Sequence, residues 1–275
     1  MKLIVHTVIL YANEKEVFKH AKDLSQQTVA ENIALVIVVN KRGDIRLEDF
    51  KRKLDTLSID TFVYNPNENL GYLNGTIYGY NQYCQETQDT PKWVVVSNTD
   101  IEFCNNKFFE DFLHKVYDND VWCVAPSVYS SNNNSFDNPE YIDRCKKEKI
   151  DRLIYFYERP FLAYLYEKTA KLKGKLGRNK KQDSQFIYSA KGCFFILRNE
   201  MASLLNDRKF KVLMYSEESY IAEIIRNRDK KTYYDCTIEV IHNESTVTGK
   251  LQIQQKAKYV VESLKVIRDE FYIED

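Results

Sequence analysis

At 275 residues the chain can hold one large α/β domain, or one domain with a substantial insertion. Forty Lys and Arg balance forty Asp and Glu, so no global field favours nucleic acid. Six scattered cysteines without a Cys-x-x-Cys pair, behind no secretory leader, point to a reducing cytoplasm rather than a disulfide framework.

The first half alternates strands with helices. Leu3–Leu10 is predicted as a strand, and Glu14–Gln26 as a helix with Val17, Ala21 and Leu24 on one face. Ile33–Val39 is a second buried strand, followed by a helix over Glu48–Leu57. Asp60–Tyr64 is a third strand and Tyr72–Gln85 a helix. Lys92–Ser97 is the fourth strand, and Asn106–Tyr117 a helix that stacks Phe109, Phe112 and Val116. Val121–Ala125 is a fifth strand. This β-α-β-α order with short connections implies a doubly wound parallel sheet.

Each strand of this half ends in a polar loop. The first is followed by Tyr11-Ala12-Asn13 and the second by Asn40-Lys41-Arg42-Gly43-Asp44. Asn65–Gly71 follows the third, and Asn98-Thr99-Asp100 the fourth. Asn favours turns for local backbone reasons, but four such loops on one sheet edge outline a nucleotide-sized cleft. Ligands of open α/β sheets bind just beyond the carboxyl ends of the strands, which is where Asp100 falls. Neither a Gly-x-Gly-x-x-Gly nor a Gly-x-x-x-x-Gly-Lys-[Ser/Thr] motif is present, against a dinucleotide site and a P-loop.

The pattern changes at Ser130. Ser130–Ser135 has no apolar anchor and is predicted as a loop or lid. Pro139–Lys181 is helical in composition and crowded with aromatics, among them Tyr155, Phe156, Tyr157, Phe161, Tyr164 and Tyr166. Its end, Lys168 to Lys181, carries seven Lys and Arg. Such a run is either a solvated helix face or a basic-aromatic surface that touches anionic lipid headgroups. Phe186–Ala190 and Cys193–Leu197 then flank Lys191-Gly192 as strands. A helix opens near Glu217, Thr232–Ile241 is a strand ending at His242, and Ile253–Phe271 is an amphipathic helix. No stretch approaches the ~18 uncharged apolar residues of a spanning helix.

In this order the chain resembles family-2 glycosyltransferases of the GT-A fold, of the bacterial rhamnosyltransferase-like and capsule or O-antigen type. Val8–Asn13 is similar to the family's opening strand and turn, Gln26-Gln27-Thr28 to the end of its first helix, and Asn69-Leu70-Gly71-Tyr72 to its Asn-x-Gly-Phe/Tyr loop. Ser97-Asn98-Thr99-Asp100 occupies the place of the Asp-x-Asp or Asn-x-Asp metal motif. Ser189–Gly192, followed by Phe194–Arg198, resembles the acceptor-side Gly before a strand ending in Arg. Tyr215–Glu218 stands where Glu-Asp stands, and Val240-Ile241-His242 where the late Val-x-His does. Asn98 replaces the first Asp of the metal motif, a second Glu replaces the Asp of Glu-Asp, and the segment from Ser130 to Lys181 matches no motif.

The resemblance implies a GT-A-like doubly wound mixed sheet flanked by helices, with a helical basic-aromatic insert and a C-terminal helix. It divides the chain into a nucleotide-sugar-binding half (1–129), a helical insert on the acceptor or membrane side (130–185) and an acceptor-binding, catalytic half (186–275). The expected activity is inverting, metal-dependent transfer of a sugar from a UDP- or dTDP-sugar to a hydroxyl of a lipid-linked saccharide in bacterial surface polysaccharide synthesis. Asp100 and His242 would hold the metal, with the imidazole favouring Mn2+ over Mg2+. Tyr11, Asn13, Asn40, Asn69, Gly71, Asn98 and Asp100 would line the donor, Asn13 and Asn40 at the base edge and Gly71 where the backbone comes close. Glu218 would be the base, Glu217 would orient the acceptor or a cation, and Gly192 would lie on the acceptor side. Residues 150–181 would touch the inner face of the cell membrane. A His ending a strand is usually just hydrogen-bonded, and acids at a helix start are favoured by the macrodipole anyway, so Asp100 carries most weight. The alternatives are a decayed saccharide- or nucleotide-binding partner subunit and, ranked lower for want of a Gly-rich basic first loop, a sugar nucleotidyltransferase.

Overall fold

The computed structural model describes residues 1–43, 46–176, 180–243 and 253–273, with the backbone alone over 170–176. Asp44, Arg178 and Glu244–Thr246, and the side chains of Lys171, Lys173 and Lys175, lie outside the described residues. The strands are β1 (Ile4–Tyr11), β2 (Ile33–Lys41), β3 (Asp60–Tyr64), β4 (Trp93–Ser97), β5 (Ile101–Phe103), β6 (Val121–Ser130), β7 (Ser135–Phe136), β8 (Gln185–Ile187), β9 (Phe194–Arg198) and β10 (Lys231–His242). The helices are α1 (Glu14–Ser25), α2 (Leu47–Leu54), α3 (Tyr72–Thr87), α4 (Phe108–Leu113), α5 (Lys147–Tyr157), α6 (Pro160–Leu176), α7 (Asn199–Asp207), α8 (Glu217–Arg226) and α9 (Ile253–Phe271).

All ten strands join one sheet in the order β3-β2-β1-β4-β9-β6-β10-β5, with β7 on β6 and β8 on β10. β3, β2, β1 and β4 are mutually parallel, as are β6 and β10. β9 runs antiparallel between β4 and β6, so the sheet is mixed. β1, β2, β4 and β9 are buried along most of their length, which is why they read as continuous apolar runs rather than alternating ones. Alternate residues still feed opposite faces. Ile4, Val8 and Leu10 pack with Val17, Ala21, Leu24, Phe50 and the Phe108–Phe112 cluster on one side. Val5, Val36 and Val38 pack with Leu73, Ile77, Ile221 and Ile267 on the other.

Three expectations are corrected. Residues 131–134 are the turn of the β6–β7 hairpin rather than a lid, because Ser130 and Ser135 pair and are both buried. The predicted Asn106–Tyr117 helix is the shorter α4, and Val116 is 97% exposed, past the helix end at Leu113. The fifth strand continues five residues further, to Ser130, because its second half pairs with the end of β10.

The insert is docked rather than free. Lys256 pairs with Glu167 and Lys265 with Glu158, each at 2.7 Å, linking α9 to α5 and α6. Arg144 holds the fully buried Glu223 of α8 at 2.7 Å and donates to the Phe271 carbonyl. Among the described residues no helix is long and apolar enough to cross a membrane.

Beneath the carboxyl edge lies a buried histidine pair. His6 Nε2 and His20 Nε2 are 2.8 Å apart, and His20 Nδ1 is 3.2 Å from the Ile101 carbonyl. That carbonyl can only accept, so His20 carries its proton on Nδ1 and His6 donates from Nε2. His6 Nδ1 is then a bare acceptor, consistent with its having no partner among the described residues. Burial pushes His20 down from 6.5 to about 4, and His6 well below its usual value. The folded protein therefore binds fewer protons than the unfolded chain below pH 6.5, and stability drops by about 1.4 kcal/mol per pH unit for each such group. We expect a His6→Leu/His20→Leu variant to lose less melting temperature than the parent between pH 7 and pH 5. The difference between the two pH profiles isolates the pair, and parallel profiles would refute the assignment.

Candidate active site

Four loops leave the carboxyl ends of β1 to β4 side by side, and asparagine amides tie them together. Ala12 N–H donates to the Lys41 carbonyl at 2.9 Å, joining the first loop to the second. Asn13 Oδ1 accepts from Tyr11 N–H, while its Nδ2 donates to Thr99 Oγ1 at 2.9 Å in the fourth loop. Asn40 Nδ2 donates to the Gly71 carbonyl at 2.8 Å and its Oδ1 accepts from Leu70 N–H, joining the second loop to the third. Asn69 Oδ1 caps Gly71 N–H at 3.0 Å. The Asn13 and Asn40 amides thus build the edge from within, and the exposed Tyr11 ring, with Lys41 Nζ 5.2 Å from its centre, faces outward.

Gly71 has a local reason to be glycine. Its φ is +79°, and a Cβ there would collide with the Leu213 backbone, to whose carbonyl Tyr72 N–H donates at 2.9 Å. The close approach is between two parts of the chain: the third loop and the segment leading to α8.

Asp100 and His242 are brought together by pairing of β5 with β10. His242 lies in register with Ile101, and Asn243 N–H donates to the Asp100 carbonyl at 3.1 Å. His242 Nε2 is 3.4 Å from Asp100 Oδ1, and both side chains are about nine-tenths buried. Burial opposes charge on the imidazole, yet Asp100 and the neighbouring Cys193 outweigh it and raise His242 to about 10. The two side chains face each other as an ion pair when the imidazole is protonated, and the space between them is the position a divalent cation would take. The 3.4 Å spacing is close to the separation of about 3 Å between adjacent donors in an octahedral shell with bonds near 2.1 Å. Among the described residues no cluster of three or more His, Cys, Asp or Glu side chains forms a metal site. Asp100 and His242 fit a cation whose other ligands come from a bound diphosphate and water. Asn98 is placed by its N–H, which donates to the Cys193 carbonyl at 2.8 Å.

The second group of side chains opens α8. Tyr215 and Ser216 both have positive φ, 76° and 63°, and this sharp turn presents Glu217 and Glu218 at the helix start. Burial raises Glu217 to about 8, with the charge of Glu218 adding to it. Burial and Glu140 raise Glu218 to about 7, partly offset by Lys191. A Cβ on Gly192 would sit 3.0 Å from Glu218 Oε2, so the predicted acceptor-side glycine lies directly against the predicted base.

Sequence reasoning missed three contributors. Glu140 pairs with Lys191 at 2.7 Å, and Asn138 Oδ1 accepts from Lys191 N–H at 2.9 Å. Glu140 and Asn138 fall in the segment without motifs, so nothing local marked them. Cys193 read as a buried core thiol, yet it adjoins His242. A cavity of about 380 Å³ opens nearby, bordered by Tyr141, Arg144, Lys146, Lys149 and Arg152.

No family model matches the sequence, and no curated protein matches it. Among solved structures it is similar to the mannosyltransferase PcManGT from Pyrobaculum calidifontis, determined in complex with GDP-Man and Mn2+. The TM-score is 0.59 at 14% identity, over 97% of this chain and 64% of that one. The fold is GT-A-like. This chain therefore spans less than two thirds of its neighbour's length, and the shared part includes nearly all of its own sheet and helices.

The Gly71 contact sets a direct test. Gly71→Ala combines a backbone conformation that L residues avoid with a backbone collision, and should cost about 2–3 kcal/mol. Thermal unfolding would register this as a drop of roughly 5 °C or more; an unchanged midpoint would mean that loop and Leu213 segment are not in contact.

Proposed function

We propose that the protein is an inverting glycosyltransferase that uses a divalent cation and a nucleotide-sugar donor. The observation that carries this reading is the placement of two chemically different groups on one GT-A-like sheet edge. Asp100 lies just past β4 and His242 ends β10, while Glu217 and Glu218 open α8, and the Tyr72 phenol is within electrostatic reach of Asp100 and of both glutamates. Asp100 and His242 would hold Mn2+ or Mg2+, which supplies charge neutralisation to the departing diphosphate. The nucleotide lies along the loop edge formed by Tyr11, Asn13, Asn40, Asn69, Gly71 and Asn98, with the exposed Tyr11 ring suited to stack on the base.

Glu218 accepts the proton of the attacking acceptor hydroxyl. Its raised value puts it near neutrality, where a base is most effective, and the bare Gly192 beside it leaves room for the acceptor. Base and diphosphate lie on opposite sides of the sugar, so displacement inverts the anomeric carbon. Residues 1–129 hold the donor, 186–275 hold the acceptor and the base, and 130–185 face the acceptor or a membrane. The donor base is uracil or thymine in the reading from sequence, and the GDP-Man of the structural neighbour adds guanine to the set tested.

The experiment is thermal unfolding with UDP, dTDP, GDP and CDP, each with and without Mn2+, for the parent and for Asp100→Ala. A ligand at a hundred times its dissociation constant adds about 2.7 kcal/mol, a shift of several degrees. Cation-dependent stabilisation by one nucleotide, lost in the variant, is expected. No response to any nucleotide would overturn the reading and leave a saccharide-binding partner subunit.

The acceptor in this reading is a lipid-linked saccharide of bacterial surface polysaccharide synthesis, met at the cytoplasmic face of the membrane. Phe161, Tyr164 and Leu165 share one exposed face of α6, at i, i+3 and i+4, and the sequence that follows is basic from Lys168 to Lys181. An apolar stripe next to cations suits an anionic bilayer surface. Replacing Lys171, Lys173 and Lys175 with Glu should abolish sedimentation with vesicles containing anionic lipid. Undiminished sedimentation would remove the membrane from the proposal.

A further inference from the structure

Tyr72 is the first residue of α3, and its backbone is fixed from two directions. Its N–H donates to the Leu213 carbonyl at 2.9 Å, and its carbonyl accepts from Thr76 Oγ1 at 3.1 Å. With the main chain so held, the side chain packs partly buried against the core. The hydroxyl oxygen is buried and has no hydrogen-bond partner among the described residues. An unmade hydrogen bond at a buried hydroxyl costs about 1–3 kcal/mol, and a phenylalanine would fill the same space without that cost. Packing therefore explains the ring and leaves the oxygen unexplained.

Its surroundings supply an explanation. Beyond burial itself, the groups that act on the phenol are Cys193, Glu217, Asp100 and Glu218. That set contains the carboxylate on the cation side, both carboxylates on the base side, and the cysteine between them. Each of these pushes the phenol upward, so the oxygen keeps its proton and acts as a donor. Tyr72 directly follows Gly71 of the proposed donor edge and is tied through Leu213 to the segment that opens α8. Its hydroxyl, unpartnered among the described residues, therefore starts where donor edge and proposed base meet, the place a transferred glycosyl group would occupy.

We propose that the Tyr72 hydroxyl is a binding group for the sugar of the nucleotide-sugar, donating a hydrogen bond to one of its oxygens. This rests on the donor reading above and adds to it a residue that recognises the sugar rather than the nucleotide. The oxygen is sealed from solvent, so the sugar reaches it only by parting the side chains around it. A hydrogen bond made in such a place discriminates strongly, because a sugar without the matching oxygen leaves the hydroxyl unpaired.

Tyr72→Phe deletes the oxygen and nothing else. Titration with Mn2+ and matched pairs, UDP with UDP-glucose and GDP with GDP-mannose, reads nucleotide and sugar contributions separately. The variant should melt at the parent temperature or above it, since it loses an unpaired buried group. Its affinity for the nucleoside diphosphate should be unchanged, and its affinity for the nucleotide-sugar should fall about tenfold, equal to about 1.4 kcal/mol. A lower melting temperature would reveal a structural hydrogen bond and overturn the proposal. So would an unaltered ratio of nucleotide-sugar to nucleotide affinity, with the donor reading left standing. A parent protein that binds none of these four probes, nor dTDP or dTDP-glucose titrated in the same way, nor CDP, removes the donor reading and this proposal together, a result seen without the variant.

Discussion

Three residues, Asn98, Thr99 and Asp100, constrain the shape of this molecule. They connect β4, in the middle of the sheet, to β5, at its far end. From Ser97 to Ile101 the backbone spans at most about 14 Å, while four strand spacings of a flat sheet would separate β4 from β5 by about 19 Å. The sheet must therefore curl until its edge folds back over its own face. The packing agrees: the Phe103 ring of β5 touches His6 of β1, Phe194 of β9, and Phe108 and Phe109 of α4. The same curl carries β10 inward and sets His242 against Asp100. The carboxylate and imidazole meet because a short link allows no other closure.

A substantial part of this architecture is legible in the sequence. The apolar runs at Ile33–Val39, Trp93–Ser97 and Phe194–Leu197 could only be doubly buried strands, and Asp100 at the end of one of them marks the ligand edge. Features set by distant contacts left no local trace. β5 is three residues long and is held by His242 and its neighbours, far along the chain. Val116 fits the helical spacing of Phe109 and Phe112, yet α4 ends before reaching it. The Asn-rich loops were read as groups awaiting a ligand, whereas the Asn13 and Asn40 amides bond neighbouring loops across 30 to 86 residues of sequence. Gly71 was read as a place where the backbone comes close to the donor, but the close neighbour in the structure is Leu213, 142 residues away.

The electrostatics divide the site in two. On the β4–β10 side Asp100 and Cys193 favour the charged form of the His242 imidazole, against the effect of burial. On the α8 side two carboxylates are adjacent in sequence, and burial and mutual repulsion work together. Glu217 is the more enclosed of the two, and burial raises both, with the charge of Glu218 adding to the rise at Glu217. Lys191 favours the ionised form of Glu218 and Glu140 opposes it. Lys191 itself is kept protonated by Glu140 against the effect of burial. Two adjacent glutamates thus stand in different environments, Glu218 against Gly192 and near Lys191, Glu217 the more enclosed.

The insert bears on that division directly. Glu140 and Asn138, which set the surroundings of Lys191 and hence of Glu218, belong to the segment between β7 and α5. That segment is anchored by Arg144 on the buried Glu223 of α8, five residues after Glu218, and by α5 against α9. Glu223 also accepts from Tyr188 at 2.7 Å, just before the Lys191-Gly192 turn. One buried carboxylate therefore locks together the helix that carries the proposed base, the strap that tunes it and the turn that faces it. Loosening the insert from the body of the protein would disturb the charge state of Glu218 without touching any residue in contact with it. On this view a segment that matches no motif is part of the site, acting through Glu140 and Lys191 rather than through its surface alone.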